Sequence, residues 1–192
     1  MTHTTVLRLA GPSALLAIPA LILSAIFLAL FFGGAGAVFG PLNDLFVAAT
    51  TGLLILPALA FEQLRAATAT RTAQGWARIV TGAAVIGLAI STAGQLLLVF
   101  GIINLEASFL VGGIGIVPVV VWAGAQTYFG LRLGLPSRAA GNLMLTVLAA
   151  AGLITLSAAI RFDLGTTAFT VAFLGAFAAY LAVLAKTLRS TS

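Results

Sequence analysis

Six apolar runs of roughly 20 residues, separated by short polar or glycine-rich connectors, take up most of this 192-residue chain. That is the length a helix needs to cross the hydrocarbon core of a bilayer, where each backbone N–H and C=O must be satisfied within its own segment. Charged residues make up 7% of the chain and hydrophobic residues 61%, whereas an ordinary soluble domain is about 25% charged. No connector is long enough to fold as a soluble unit. The sequence therefore reads as an all-α integral membrane bundle of six transmembrane helices. It forms a single polytopic domain over residues 1–192, with spans at about 11–32, 42–61, 76–100, 108–128, 139–160 and 166–188.

The first run is too long for a signal peptide, whose apolar region is about 7–15 residues, and is expected to remain as a helix. Residues 33–40, GGAGAVFG, read as a flexible connection. The second run, FGPLNDLFVAATTGLLILPALAFE, is expected to open with a Gly40-Pro41 turn, followed by Asn43 and Asp44 as helix caps. Glu62 and Arg65 close it. On the third run Ala83, Gly87, Ser91 and Gly94 form a stripe of small residues suited to close helix approach, and Trp76 begins the run at the depth of an aromatic belt. Pro19, Pro57 and Pro118 fall inside three different runs and read as ordinary membrane-helix kinks.

Charge orients the chain. Arg8, Arg65, Arg71, Arg78, Arg132, Arg138, Lys186 and Arg189 are eight of its nine basic residues, and all fall at the termini or in the even-numbered connections. The other side holds Arg161 with Asp44, Glu106 and Asp163, three of the four acidic residues. The positive-inside rule places both termini in the cytoplasm of a multi-pass cell-membrane protein. Basic residues scattered singly between apolar runs set topology, so the formal charge of +5 does not imply nucleic acid.

The chain has no cysteine, and its one histidine is His3, in the N-terminal tail. Disulfides, thiolate metal sites, bis-histidine haem, His-rich metal centres and a Ser-His-Asp triad are thereby excluded. No phosphate-binding or dinucleotide fingerprint is present. The expectation is no cofactor, no metal and no assigned catalytic residue.

Asn43, Asp44, Glu106, Arg161 and Asp163 gather at the outer ends of the helices, with Asn104, and Gln95 lies about a turn and a half deeper. Such a cluster could form an outward-facing polar pocket for an ion, a small molecule or a lipid headgroup, since ionisable residues at membrane depth are functional candidates by default. The plainer reading makes them helix terminators at water level, with Gln95 hydrogen-bonded to a neighbouring helix. Gln126 and Asn142, near the inner surface, read as interfacial or inter-helix contacts.

Several of these features, the Gly40-Pro41-x-Asn43-Asp44 start, Gln95, Glu106, and Pro136 with Arg138, resemble a group of uncharacterised bacterial six-span membrane proteins. The resemblance implies six helices and an interest in Asp44. Three functions stay open on the residues: a membrane protein binding or moving a small molecule, ion or lipid; an accessory subunit whose small-residue faces dock on other helices or on a second copy; and a lipid-acting enzyme relying on carboxylates.

Overall fold

A computed structural model describes residues 3–66, 71–135, 137–160 and 163–190. It is all-helical: α1 His3–Leu30, α2 Gly36–Ala66, α3 Arg71–Val99, α4 Leu105–Leu133, α5 Arg138–Ala159 and α6 Asp163–Ser190. All six are long and apolar enough to cross a membrane. The helices extend beyond the apolar runs at several ends, because polar flanks such as Arg71 to Gly75 continue the backbone ladder.

Each helix packs against its neighbours in sequence, and α6 returns to α1, so the six form a closed ring. One end of the ring carries both termini. The other carries the α1–α2, α3–α4 and α5–α6 connections. Most of each span faces outward, and that outer surface is apolar: Leu16, Ile79, Ile86, Ile114, Val117 and Val171 are all exposed. A water-soluble domain does not expose apolar area on this scale. Trp76 and Tyr128, both exposed, flank the terminal end as an aromatic belt would.

The α1–α2 connection differs from the sequence expectation. The chain reverses within Phe31–Ala35, where the backbone leaves the helical region at Gly34, φ 103°. Left-handed backbone is sterically cheap only for glycine, so the turn sits at Gly34, and Gly40 and Pro41 lie inside α2. Gly40 serves packing instead: a Cβ there would lie 3.2 Å from the Phe31 ring. Since α2 begins at Gly36, Asn43 and Asp44 are two turns inside the helix and do not cap it.

The other connections follow local chemistry. Asn104 caps α4, its side chain accepting from Ala107 N–H at 2.9 Å. Gly134 ends α4 with φ 67°, and the N–H groups of Gly134 and Leu135 return to the carbonyls of Gly130 and Phe129. The Ser137 hydroxyl then accepts from Ala140 N–H and starts α5. Pro136 lies outside the described residues.

Small residues set the helix spacing. A Cβ on Gly87 would strike the Gly115 carbonyl and lie 2.7 Å from Pro118, and one on Gly115 would strike the Ser91 hydroxyl. One on Gly94 would lie 2.7 Å from Val111. The stripe expected on the third run is thus covered by α4 of the same chain. Further along α4, a Cβ on Gly130 would lie 2.5 Å from Gly141 Cα, so α4 and α5 touch backbone to backbone near the terminal end. Polar ties between helices include Ser13, which donates to the Leu53 carbonyl at 2.6 Å between α1 and α2, and Thr51, which pairs with Thr92 at 2.8 Å between α2 and α3.

Candidate functional site

The ring encloses a cavity of about 360 Å³, bounded by residues of all six helices. Leu21 and Ser24 come from α1, Thr50, Thr51 and Leu54 from α2, Leu88 and Ser91 from α3. Trp122 and Ala123 of α4, Val147 and Ala151 of α5, and Phe173 and Phe177 of α6 complete the wall. The size falls within the range of small-molecule sites, about 300–1,000 Å³. Among the described residues no ionisable side chain lines it. Its hydroxyls are largely turned back on their own helices: Ser24 donates to Leu21 O, Thr50 to Phe46 O and Thr51 to Val47 O. The surface offered to an occupant is therefore mainly hydrocarbon.

The cavity opens sideways. Ile116 and Val120 line it and are each 50% exposed, so at their level the wall on α4 reaches the outside of the ring. On one flank of α4 the Gly87–Gly115 approach closes the seam with α3. The other flank faces α5, held close at Gly130 and Gly141 near the terminal end. The opening thus lies along α4 and α5, and its rim is apolar.

Helical register relates the cavity to the residues singled out in the sequence. Asp44 precedes Val47 by three residues and Thr51 by seven, which puts it on the cavity-facing side of α2, one turn above the wall. Asn43 Nδ2 donates to Asp44 Oδ1 at 3.1 Å. Gln95 follows Ser91 by four residues and has the same relation to the cavity on α3. Its Oε1 is buried and has no hydrogen-bond partner. Glu106 is exposed in the first turn of α4, beside a shallow hollow formed by Asn104, Glu106, Ala107, Phe109 and Leu110. That hollow is separate from the cavity and contains neither Asp44 nor Gln95. Arg161 lies outside the described residues, as does the side chain of Asp163, although its backbone begins α6. Among the described residues, Asn43 with Asp44 is the one hydrogen-bonded pair within the predicted set.

Two features of the interior go beyond the sequence reading. At the terminal end, Arg65 is 1% exposed and its Nη2 donates to both oxygens of Glu62, at 2.6 and 2.8 Å. Thr81 donates to Glu62 Oε2 at 3.3 Å, Arg78 of α3 reaches Oε1 at 3.8 Å, and the Arg65 guanidinium stands 5.2 Å from the Phe129 ring centroid of α4. This buried ion pair ties α2, α3 and α4 together below the cavity. A Glu and an Arg three residues apart on a helix were the available signal, since that spacing puts them on one face; nothing in the spacing indicates burial. The second feature is Trp122, 5% exposed, whose indole N–H lacks a hydrogen-bond partner. Gln126, one turn further along α4, is also buried and leaves Oε1 unpaired; Asn142 is exposed.

Among the described residues no three His, Cys, Asp or Glu side chains come together as a metal site. Comparison of the chain with protein-family models, curated proteins and solved structures gives no match in any of the three.

Proposed function

We propose that this chain is a multi-pass membrane protein that binds a mainly apolar ligand, a lipid chain or lipid-like small molecule, inside its ring of helices. The observation that carries the reading is the 360 Å³ cavity, lined by all six helices and, among the described residues, by no ionisable side chain. A charged ligand group would lose its hydration there without a counter-charge. An apolar ligand gives up no hydration by entering from lipid, and the apolar opening along α4 and α5 provides that route. Asn43, Asp44 and Gln95, a turn above the wall, are positioned to take a polar end of the ligand. The accessory-subunit reading is less well supported, because α4 already occupies the small-residue stripe of α3.

The orientation belongs to the same proposal. Both termini lie in the cytoplasm of the cell membrane, on the strength of eight basic residues out of nine at that end. The natural absence of cysteine makes this directly testable. Glu106→Cys should react with an impermeant maleimide added to intact cells, and Ser190→Cys should react only after lysis; the opposite pattern would invert the topology.

Binding is tested by native mass spectrometry of the full chain purified in mild detergent. Wild type should retain an apolar species that Ala151→Trp, which fills the cavity, releases. Equal retention by the two proteins, or none by wild type, would refute the binding reading.

A further inference from the structure

We propose that the seam between α1 and α6 at the terminal end binds the headgroup of an anionic phospholipid through Arg8, Lys186 and Arg189. The inference rests on the chain spanning a bilayer and makes no use of the cavity. All three side chains are exposed, near the terminal ends of their helices, where lipid headgroups lie. Arg8 precedes Gly11 by three residues and Lys186 precedes Arg189 by three, so each pair shares one face of its helix. Gly11 joins the two faces. A Cβ there would lie 2.9 Å from Arg189 Cγ and 3.7 Å from its Nε, so the arginine stem lies across α1 in space that a side chain would fill. Like charges gathered on one surface repel, and the chain has little to offset these. Three of its four acidic residues, Asp44, Glu106 and Asp163, are at the opposite end. The fourth, Glu62, is engaged by Arg65 and Arg78. The positive-inside rule is met by basic residues anywhere on that side and does not require an arginine laid over the neighbouring helix at a glycine. A phosphodiester supplies the missing negative charge and accepts from several N–H donors at once, which a guanidinium presents as a planar fork. Leu9 and Leu16, both exposed on α1, give the acyl chains an apolar surface.

The test is native mass spectrometry of the full chain in mild detergent, titrated with dioleoylphosphatidylglycerol or dioleoylphosphatidylcholine, which share acyl chains and differ in headgroup charge. Wild type should bind the anionic lipid at least roughly tenfold more tightly. Arg8→Gln/Arg189→Gln should lose roughly twentyfold in affinity for it, about fivefold per charge. Arg132→Gln/Arg138→Gln removes the same charge from exposed positions at the α4–α5 turn and should stay within about threefold, because exposed charges away from the seam are screened. Equal losses in the two double variants would reveal diffuse attraction and overturn the site, as would equal binding of the two lipids by wild type. Displacement of phosphatidylglycerol by an equimolar amount of inorganic phosphate would assign the seam to a soluble anion and overturn the lipid reading. Ala151→Trp should bind phosphatidylglycerol as wild type does; its release would place the lipid in the cavity and remove it from the seam. Should Arg8→Gln/Arg189→Gln fail to fold, Lys186→Gln, expected to lose about fivefold, decides the matter.

Discussion

Replacing Glu62 by glutamine keeps the shape of the side chain and removes its charge, which isolates what the carboxylate does for Arg65. Arg65 is 1% exposed, and its Nη2 lies 2.6 and 2.8 Å from the two carboxylate oxygens. A hydrogen bond to a charged group is worth about 1.5–3 kcal/mol, against about 1 kcal/mol for a neutral one. The larger effect is on the guanidinium, which stays buried without the charge that offsets its desolvation; breaking such a pair costs about 3–5 kcal/mol. Glu62 retains 16% side-chain exposure and also faces Arg78 at 3.8 Å. Water reaching that side places the expected loss at the lower end, about 3 kcal/mol, and Arg78, 66% exposed, loses only a screened attraction. The double variant Glu62→Gln/Arg65→Met removes both charges and should recover most of it, because no buried ion then remains. Reversible unfolding by SDS in mixed micelles measures both variants. A loss below about 1 kcal/mol for Glu62→Gln, or a double variant no better than the single one, would show that burial of the pair is not what ties α2 to its neighbours.

The helix seams give three more expectations. Gly115→Ala drives a methyl group against the Ser91 hydroxyl and the Gly87 carbonyl and should cost about 1–3 kcal/mol, whereas Gly112→Ala, which meets open space, should stay within about 0.5 kcal/mol; thermal melting in detergent separates them. Gly130→Ala should loosen the α4–α5 contact by a similar 1–3 kcal/mol, seen as a lower melting temperature, because its methyl group meets backbone that cannot rotate away. A double-mutant cycle of Thr51→Val and Thr92→Val should return a coupling of about 0.6 kcal/mol, typical of hydrogen bonds between membrane helices. A coupling indistinguishable from zero would mean the hydroxyls meet without mutual stabilisation.

The number and placement of helices were legible in the sequence because a bilayer-spanning helix must satisfy its backbone alone and be apolar over about 20 residues. That condition is one-dimensional, and a sequence displays it directly. The small-residue stripe from Ala83 to Gly94 was legible for the same reason, since i+3 and i+4 spacing defines a face whatever lies opposite. What lies opposite is a tertiary matter: only the packing of α4 over Gly87 and Ser91 shows that the stripe closes a seam within the chain. The turn at Gly34 was hidden among several neighbouring glycines, any of which could take positive φ. Displacing the turn carried Asn43 and Asp44 from the expected helix start into the helix body. The cavity could not be read at all. Its wall is mostly apolar side chains such as Leu, Val, Ala and Phe at positions that look like any packed core, and it lies where α6 closes on α1 while α4 and α5 meet at Gly130 and Gly141. Composition determined that these helices are long and apolar enough to cross a membrane, and the closing of the ring decided that they surround a space.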